Sequence, residues 1–308
     1  MMHYKSIEDL NRYIVANLYK VPADTDLIVG VPRSGLLAAN LLALQLNLPF
    51  TDVEGFLNGR ILQSGDRLKS FMKPFQDYKK VLIIEDSVWS GKSIKEVKEK
   101  VNGLYPEKEL TYAAVFAGPE STDKVDIYFD ICPGPRIFEW NLMHHNLLES
   151  CCIEIEGVLC PAPSKEEEAS EPHYERYLES AQPLFRPSTT IGYLVTSRPE
   201  KYRAKTEEWL AKNNIRYHNL IMLNKPHQDT LPTAEHLGDF KAAAYTQYNG
   251  WLFIANCPQE SKHIADKVGK SVYCMAERKM IYPNMLAQSK RKIKSVTNLF
   301  TSFIKVFF

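Results

Sequence analysis

The chain has 308 residues, about twice the length of a typical domain, which predicts two folded units. Its 38 Lys and Arg residues nearly balance its 37 Asp and Glu residues, and a formal net charge of +1 argues against a nucleic-acid partner. Hydrophobic residues make up 44% of the sequence, as in globular proteins, and no run of eighteen apolar residues is long enough to span a membrane.

The N-terminal segment and the cysteines predict a location in the cytoplasm. The sequence begins MMHYKSIEDLNRY, which lacks the apolar core and the small-residue cleavage site of a secretory signal. The six cysteines have neither CxxC nor zinc-ligand spacing, and six in so long a chain do not make a disulfide scaffold. We therefore expect reduced thiols and no zinc site.

Helical and strand patterns alternate through the first 150 residues. Apolar spacing predicts helices over 6–18, 35–46 and 93–104. Short apolar runs predict buried strands over 26–30, 49–54, 81–84 and 111–117. Strands separated by helices indicate a parallel sheet that binds ligands at the carboxyl ends of its strands.

Residues 55–78 have little periodicity and predict a long, mobile, basic loop. Long loops inside compact domains are usually functional. Arg60, Arg67 and Lys69 in this loop are candidates for binding an anion.

The pattern restarts near Cys151 with a second α/β series. Strands are expected over 152–157, 191–195, 218–222 and 251–254, and helices over 201–213, 239–248 and 261–268. No internal repeat relates the halves. The sequence thus predicts an α/β protein with two domains, 1–150 and 151–277, each a mainly parallel sheet flanked by helices, and a tail over 278–308.

The most informative segment is VLIIEDSVWSGKS at residues 81–93. Two carboxylates, Glu85 and Asp86, follow the apolar run, and paired carboxylates can accept hydrogen bonds from the vicinal diol of a ribose. Backbone amides of the loop and helix start can hold a phosphate, with the Ser90 and Ser93 hydroxyls as further donors. The Walker pattern GxxxxGK is absent, so this is not a P-loop.

This segment resembles the ribose-phosphate signature of type I phosphoribosyltransferases, which use phosphoribosyl pyrophosphate (PRPP). LIVGVPRSG at 27–35 is similar to the family's pyrophosphate loop, and the basic loop lies where the family has a loop that closes over the reacting centre. The resemblance covers about 150 residues. It implies the type I phosphoribosyltransferase fold, PRPP as a ligand and Mg²⁺ as the cofactor.

The resemblance also implies roles for individual residues. Glu85 and Asp86 would hold the ribose hydroxyls and, together with PRPP, the Mg²⁺ ion. Arg33, with help from loop cations, would stabilise the negative charge of the leaving pyrophosphate. The full set of implied PRPP-binding residues is Arg33, Ser34, Gly35, Glu85, Asp86, Ser87, Val88, Trp89, Ser90, Gly91, Lys92 and Ser93, and the catalytic set is Glu85, Asp86, Arg33, Arg60, Arg67 and Lys69. The alternative for residues 81–93 is an ordinary strand–turn–helix without a ligand. The alternative for each loop cation is a solvated surface charge.

Trp89 departs from the family pattern. Purine-type members carry at this position an aspartate that serves as general base for the nucleobase. A tryptophan accepts no proton, so a purine acceptor is disfavoured. The indole either stacks on an acceptor ring or packs in the protein.

The second half resembles haloacid dehalogenase-like hydrolases over 151–275. CIEIEGVLC at 152–160 is similar to their first motif, LVTSRP at 194–199 to the second, Lys241 to the third and FIANCP at 253–258 to the fourth. The resemblance implies a Rossmannoid fold. It implies a site made of Glu154, Glu156, Thr196, Ser197, Lys241 and Asn256.

That implied site lacks the family's reactive groups. Glu154 and Glu156 replace the aspartates that act as nucleophile and acid/base, and one extra methylene displaces each carboxylate. Asn256 lies in the fourth motif, where hard carboxylates should hold Mg²⁺. We therefore expect no phosphatase activity, and either a retained phosphate pocket or a structural domain.

Two further segments carry candidate roles. PRIFEWNLMHH at 135–145 contains aromatic residues, an acid and two histidines, and either lines an acceptor site or packs between the domains. In the tail, Ile293, Val296, Phe300, Phe303 and Phe307 form one helical stripe behind a cationic start, as in interfacial helices on anionic lipid. Docking of this helix on protein is the alternative.

The combined pattern favours transfer of 5-phosphoribose from PRPP to an acceptor. Chains that pair these two domains resemble bacterial enzymes that install ribofuranose on surface glycans, which implies a sugar hydroxyl of a lipid-linked glycan as acceptor. The tail would hold such an enzyme on the inner face of the cytoplasmic membrane. An orotate-type nucleobase transferase and a PRPP-sensing regulatory protein are the alternatives.

Overall fold

The computed structural model describes residues 2–62, 65–70, 72–224 and 234–284. The chain divides into two compact units, Met1–Trp140 and Asn141–Phe308. This division lies ten residues before the boundary expected from the sequence. Residues 145–150 belong to the second unit and pack against Gly192, where an added Cβ would lie 2.3 Å from the carbonyl oxygen of Glu149.

The first unit contains one five-stranded parallel sheet and a short two-stranded one. The larger sheet has the order β3-β2-β4-β5-β6, and β1 pairs with β7 in parallel. The strands and helices are β1 (His3–Lys5), α1 (Ile7–Ala16), β2 (Leu27–Gly30), α2 (Gly35–Leu46), β3 (Phe50–Asp52), α3 (Val53–Leu57), α4 (Asp66–Lys69), β4 (Lys80–Val88), α5 (Lys92–Val101), β5 (Glu109–Ala117), β6 (Ile127–Ile131) and β7 (Arg136–Phe138).

Apolar residues on both faces of the central strands explain why this sheet is buried on both sides. Ile28, Leu82 and Ile84 pack with residues of α1 and α2 on one face. On the other face, Val29 and Ile83 pack with residues of α3 and α5. Strands covered on both faces read as continuous apolar runs, which is why the sequence predicts a parallel sheet correctly.

Strand β4 extends further than the sequence predicts. The apolar run suggested 81–84, whereas β4 continues to Val88 because its partner β5 continues to Ala117. Its other neighbour, β2, ends at Gly30 opposite Ile84. The two acids therefore lie within β4, just beyond the end of β2, and not after the strand as expected.

Residues 55–62, 65–70 and 72–78 contain more secondary structure than the sequence suggests. Helix α3 extends into the segment and α4 lies inside it, followed by a 3₁₀ turn at Phe75–Asp77. Phe75 contacts Phe56 and Tyr105 at ring-centroid distances of 5.6 and 5.0 Å. These aromatic contacts anchor both ends of the segment, a long-range effect that local periodicity does not reveal.

The second unit contains a six-stranded sheet of order β10-β9-β8-β11-β12-β13. All neighbouring pairs are parallel except β12 with β13. Its elements are β8 (Cys152–Glu154), α6 (Lys165–Glu168), α7 (Glu171–Ser180), β9 (Ile191–Pro199), α8 (Arg203–Lys212), β10 (Tyr217–Leu223), α9 (Ala234–Gln247), β11 (Phe253–Ala255), α10 (Pro258–Val268), β12 (Val272–Cys274) and β13 (Lys279–Ile281). The expected mainly parallel sheets flanked by helices are confirmed in both units.

Two strands near the end of the described residues, β12 and β13, are not predicted from the sequence. β13 lies beyond residue 277, where the second domain was expected to end, and pairs with β12. The amphipathic stripe from Ile293 to Phe307 lies outside the described residues. Within the described ranges, no helix is both long and apolar enough to cross a membrane.

Candidate functional site

Glu85 and Asp86 are carboxylates held in a partly desolvated position on β4. Asp86 has 6% of its surface exposed, and Glu85 is half-buried. Burial raises the pKa of Glu85 to about 7; the Ser93 hydrogen bond opposes this shift and the Asp86 charge adds to it. Burial also raises the pKa of Asp86, against the lowering effect of Trp140 and backbone amides. The chain thus holds two close acids whose negative charge is costly without a ligand.

Asp86 is bonded to an aromatic residue distant in sequence. Trp140 Nε1 donates to Asp86 Oδ2 at 2.8 Å. The Trp140 ring stacks on Phe138 with centroids 4.9 Å apart, and Phe138 stacks on Phe116 at 5.6 Å. The stack therefore fixes the orientation of the indole N–H.

Arg136 brings a positive charge close to the acids. Its guanidinium carbon lies 4.7 Å from the Trp89 ring centroid and 5.1 Å from that of Phe138. The cation lowers the pKa of both Glu85 and Asp86, although burial has the larger, opposite effect. Within the described residues, Arg136 Nη1 is buried and has no hydrogen-bond partner.

Residues 89–91 form the turn from β4 into α5. Gly91 has φ of +75°, and no side chain caps the N-terminus of the ten-residue helix α5. The Lys92 amide donates to Ser90 Oγ at 3.3 Å. Ser93, expected to contact a phosphate, hydrogen-bonds Glu85. The uncapped first turn still offers backbone amides to an anion.

Trp89 packs in this turn with part of its indole exposed. The side chain is 53% exposed, and the Ser121 hydroxyl donates to its carbonyl oxygen. A Cβ added at Gly118 would lie 2.7 Å from the indole, and one at Gly134 would lie 3.1 Å from it. Two glycines therefore make room for the ring, which favours packing while leaving one surface accessible.

The loop at 31–35 passes directly beside the acids. Gly35 begins α2, and a Cβ there would lie 2.9 Å from the Ile84 carbonyl oxygen and 3.1 Å from Glu85 Cα. The Val31 amide donates to the same Ile84 carbonyl at 3.0 Å. Arg33 is exposed and Ser34 half-buried in this loop. The structure thus brings the loop that follows β2 and the acids of β4 together at the carboxyl ends of these two strands.

The basic residues of 55–78 are surface groups. Arg60 lies 3.5 Å from Asp52, and its side chain is 55% exposed. Arg67 and Lys69 are exposed on α4. In the described part of the chain, no ion pair joins these three residues to Glu85 or Asp86.

In the second unit, Glu154 belongs to a buried charge cluster. Lys241 donates to the carboxylates of both Glu154 and Glu260, and all three side chains are less than 10% exposed. The backbone N–H of Asn256 donates to Glu154 Oε2 at 2.9 Å. Glu154 is therefore already bound to protein groups.

Glu156 is held in a second buried pair. Arg198 Nε donates to Glu156, and Thr196 Oγ1 donates to the other carboxylate oxygen at 2.8 Å. The Arg198 side chain is fully buried, and the Glu156 charge raises its pKa against the opposite effect of burial. Ser197 Oγ is buried and has no hydrogen-bond partner among the described residues. The implied hydrolase site is thus filled by the protein's own ion pairs.

Four functional candidates lie outside the implied residue sets: Arg136, Trp140, Arg198 and Glu260. Arg198 pairs with Glu156, and Glu260 pairs with Lys241. Arg198 lies within the LVTSRP motif but was not assigned to the site, and no motif contains Glu260. Trp140 was considered only as part of the 135–145 segment. Arg198 lies two residues after Thr196 on β9, so strand alternation is the one signal that could have placed it beside Thr196.

A parallel α/β unit with paired acids before a turn into a helix start is typical of domains that bind ligands at the carboxyl ends of their strands. Residues 3–146 match the family model of the phosphoribosyl transferase domain. The chain therefore contains a phosphoribosyl transferase domain, and the predicted resemblance of its first half is confirmed. The match spans less than half of the 308 residues and does not extend over the second sheet.

Several solved structures are similar to part of the chain. Helicobacter pylori xanthine-guanine-hypoxanthine phosphoribosyltransferase is 19% identical, covers 46% of this chain and 93% of its own, and has a TM-score of 0.34. A purine phosphoribosyltransferase from Pyrococcus horikoshii is 24% identical, with coverages of 45% and 93% and a TM-score of 0.35. Orotate phosphoribosyltransferase from Aeropyrum pernix is 18% identical, with coverages of 40% and 69% and a TM-score of 0.29. None of the curated proteins compared with the chain matches it.

Proposed function

We propose that this protein transfers 5-phosphoribose from PRPP to an acceptor hydroxyl and releases pyrophosphate. The observation that carries the proposal is the acid pair Glu85 and Asp86, which lies on β4 between the Gly35 turn and the uncapped start of α5. Paired carboxylates suit the 2- and 3-hydroxyls of ribose, and helix-start amides suit a 5-phosphate. The phosphoribosyl transferase family match supports PRPP as the donor.

The residues of the site also suit Mg²⁺. The ion prefers oxygen ligands and is usually held by one or two carboxylates together with substrate phosphates. In the described ranges no cluster of three His, Cys, Asp or Glu side chains is arranged to hold a metal. Glu85 and Asp86 would therefore share the ion with the donor. When bound, Mg²⁺ supplies charge neutralisation for the pyrophosphate.

The chain's own groups would then act on the donor. Glu85 and Asp86 orient the ribose and stabilise the positive charge that develops at its anomeric carbon. Arg33, exposed in the adjacent loop, offers a cation to the leaving pyrophosphate. Arg60, Arg67 and Lys69 would join it when the 55–78 segment closes over the donor and excludes water.

A sugar hydroxyl of a lipid-linked surface glycan is the proposed acceptor. Trp89 supports it because its indole cannot act as the general base for a nucleobase. The ring packs over Gly118 and Gly134 and leaves one face exposed. A half-exposed tryptophan ring also suits the C–H face of a sugar. The basic amphipathic tail would bring the enzyme to the inner face of the cytoplasmic membrane, where such acceptors are assembled.

The second unit is proposed to be a haloacid dehalogenase-like domain without phosphatase activity. Glu154 is the last residue of its central strand β8 and Glu156 follows two residues later, and each is paired with a buried cation. A phosphate and Mg²⁺ would have to break both ion pairs before binding. We propose that this unit is structural or binds without catalysis.

A pyrophosphate-release assay tests the proposal. Full-length protein, PRPP and Mg²⁺ are incubated with membrane-extracted glycolipids, and separately with orotate and purine bases. Release that requires glycolipid and is lost in Asp86→Ala supports the proposal. Release driven by a nucleobase would favour the orotate-type alternative. Binding of PRPP without release in any arm would favour a sensor.

A further inference from the structure

Trp140 connects the proposed donor site to an aromatic stack. Its indole N–H donates to Asp86 Oδ2 at 2.8 Å, and its ring lies nearly parallel to Phe138, with 16° between the planes. We propose that Trp140 is a positioning residue of the donor site, which holds the Asp86 carboxylate in the orientation that receives the ribose hydroxyls. This inference rests on the proposed function.

The stack explains how one hydrogen bond can fix the carboxylate. A Trp side chain has two torsions, and packing against Phe138, with Phe116 behind it, restrains both. The donated bond then restrains the remaining rotation of Asp86. A carboxylate held before the donor arrives loses little conformational freedom on binding, and that preorganisation strengthens binding.

Another tryptophan shows what a purely structural indole bond looks like in this chain. Trp209 Nε1 donates to the Ala181 carbonyl at 2.7 Å, in the second unit. A neutral carbonyl satisfies a buried indole N–H without burying a charge. Trp140 instead donates to a carboxylate with 6% of its surface exposed, one of the two acids that the donor is proposed to contact.

The test measures PRPP affinity in Trp140→Phe, which keeps an aromatic ring and removes the N–H. Titration calorimetry with the full-length protein, PRPP and Mg²⁺ should show binding about tenfold weaker than wild type, the usual effect of losing a hydrogen bond to a charged group. Trp209→Phe is the matched control and should bind PRPP as wild type does. Circular dichroism should show that both variants are folded.

A spectroscopic measurement separates positioning from general stability. The ¹⁵N–¹H indole resonance of Trp140, assigned from its loss in Trp140→Phe, should shift when PRPP is added, while that of Trp209 should not. Wild-type affinity in Trp140→Phe, or an unchanged Trp140 resonance at saturating PRPP, would overturn the inference alone. Absence of PRPP binding by the wild-type protein would overturn the proposed function and this inference together.

Discussion

At the scale of single residues, burial controls the chemistry of both units. Asp86 and Glu85 carry raised pKa values because water is excluded from β4, and the nearby Arg136 charge only partly offsets that effect. In the second unit, Glu154 and Glu156 lie against lysine and arginine side chains. The first pair of acids is hydrogen-bonded to the neutral side chains of Trp140 and Ser93, while the second pair is paired with buried cations.

Glu85→Gln should change the pH dependence of stability. The folded-state pKa of about 7 exceeds the usual 4.5, so between these values the folded protein binds more protons than the unfolded chain. Stability is therefore lost as pH rises through this window, by on the order of 3 kcal/mol above pH 7. Glutamine carries no such penalty, and the variant should have the higher Tm at pH 8.

Thermal melts from pH 5 to pH 8 check this prediction. The difference between Glu85→Gln and wild type should shrink towards pH 5, where Glu85 is protonated in the folded protein. Glu120→Gln, at an exposed position, should follow the wild-type profile. A difference that stays constant across the range would contradict the assigned pKa.

At the scale of secondary-structure elements, the proposed donor site depends on close contact between α2 and β4. Gly35 allows the helix to begin against the Ile84 carbonyl, since a Cβ there would come within 2.9 Å of that oxygen. Backbone atoms on both sides leave little freedom to adjust. This contact sets the distance between the 31–35 loop and Glu85.

Gly35→Ala should therefore destabilise the protein and weaken donor binding. Overpacking of this kind costs about 1–3 kcal/mol, and relief of the clash would move the loop away from β4. Urea unfolding and PRPP titration measure the two effects. Gly65→Ala is the control, because its φ is −69° and no atom lies within 4 Å of the added Cβ. Equal behaviour of the two variants would contradict the packing argument.

The buried cluster between β8, α9 and α10 predicts a second stability effect. Lys241→Met would leave Glu154 and Glu260 facing each other without a cation, at a cost of about 3–5 kcal/mol. Lys262→Met, in the same unit, removes only an exposed pair with Asp266 and should cost less than about 1 kcal/mol. Chemical denaturation should rank the variants in this order. A Lys241 variant as stable as the Lys262 variant would show that the cluster does not stabilise the fold.

At the scale of the whole molecule, the two α/β units differ in the groups that bind their carboxylates. In the first unit the acids on β4 precede an uncapped helix start, whereas in the second unit Glu154 and Glu156 form ion pairs with buried cations. The family match covers only the first unit. We therefore expect the first unit to carry the catalytic activity and the second unit to be non-catalytic.

The second unit should release no phosphate. Ribose 5-phosphate and p-nitrophenyl phosphate, each with Mg²⁺, should be hydrolysed no faster than without protein, because Lys241 and Arg198 already occupy Glu154 and Glu156. Colorimetric phosphate detection is sufficient for the measurement. Mg²⁺-dependent release that disappears in Glu154→Ala would show that the ion pairs open for catalysis.

The tail should attach the whole protein reversibly to anionic bilayers. Its apolar stripe needs a surface to cover it, and Lys290, Arg291, Lys292 and Lys294 would each contribute about 1 kcal/mol near anionic headgroups. Co-sedimentation with phosphatidylserine vesicles should be salt-sensitive and should be lost in a chain ending at Gln288. Equal partitioning of the two proteins would favour the tail docking on protein.

Local patterns in the sequence predicted the mainly parallel sheets but not all of their strands. Apolar runs such as 26–30 and 81–84 predicted parallel strands because strands buried on both faces must be apolar throughout. The adjacent acids and the Ser-Gly turn indicated the proposed donor site, since these groups are contiguous in the chain. Short-range chemistry of this kind needs no knowledge of distant contacts.

Tertiary structure decided everything that depends on residues far apart in the chain. The extension of β4 to Val88 follows from pairing with β5, and the rings of Phe56, Phe75 and Tyr105 contact one another across the sequence. Trp140 reaches Asp86 across 54 positions, and Lys241 reaches Glu154 across 87. The sequence determined which carboxylates the protein has; the folded chain decided which of them are bound by protein groups, because only folding excludes water and brings the partner charges into contact.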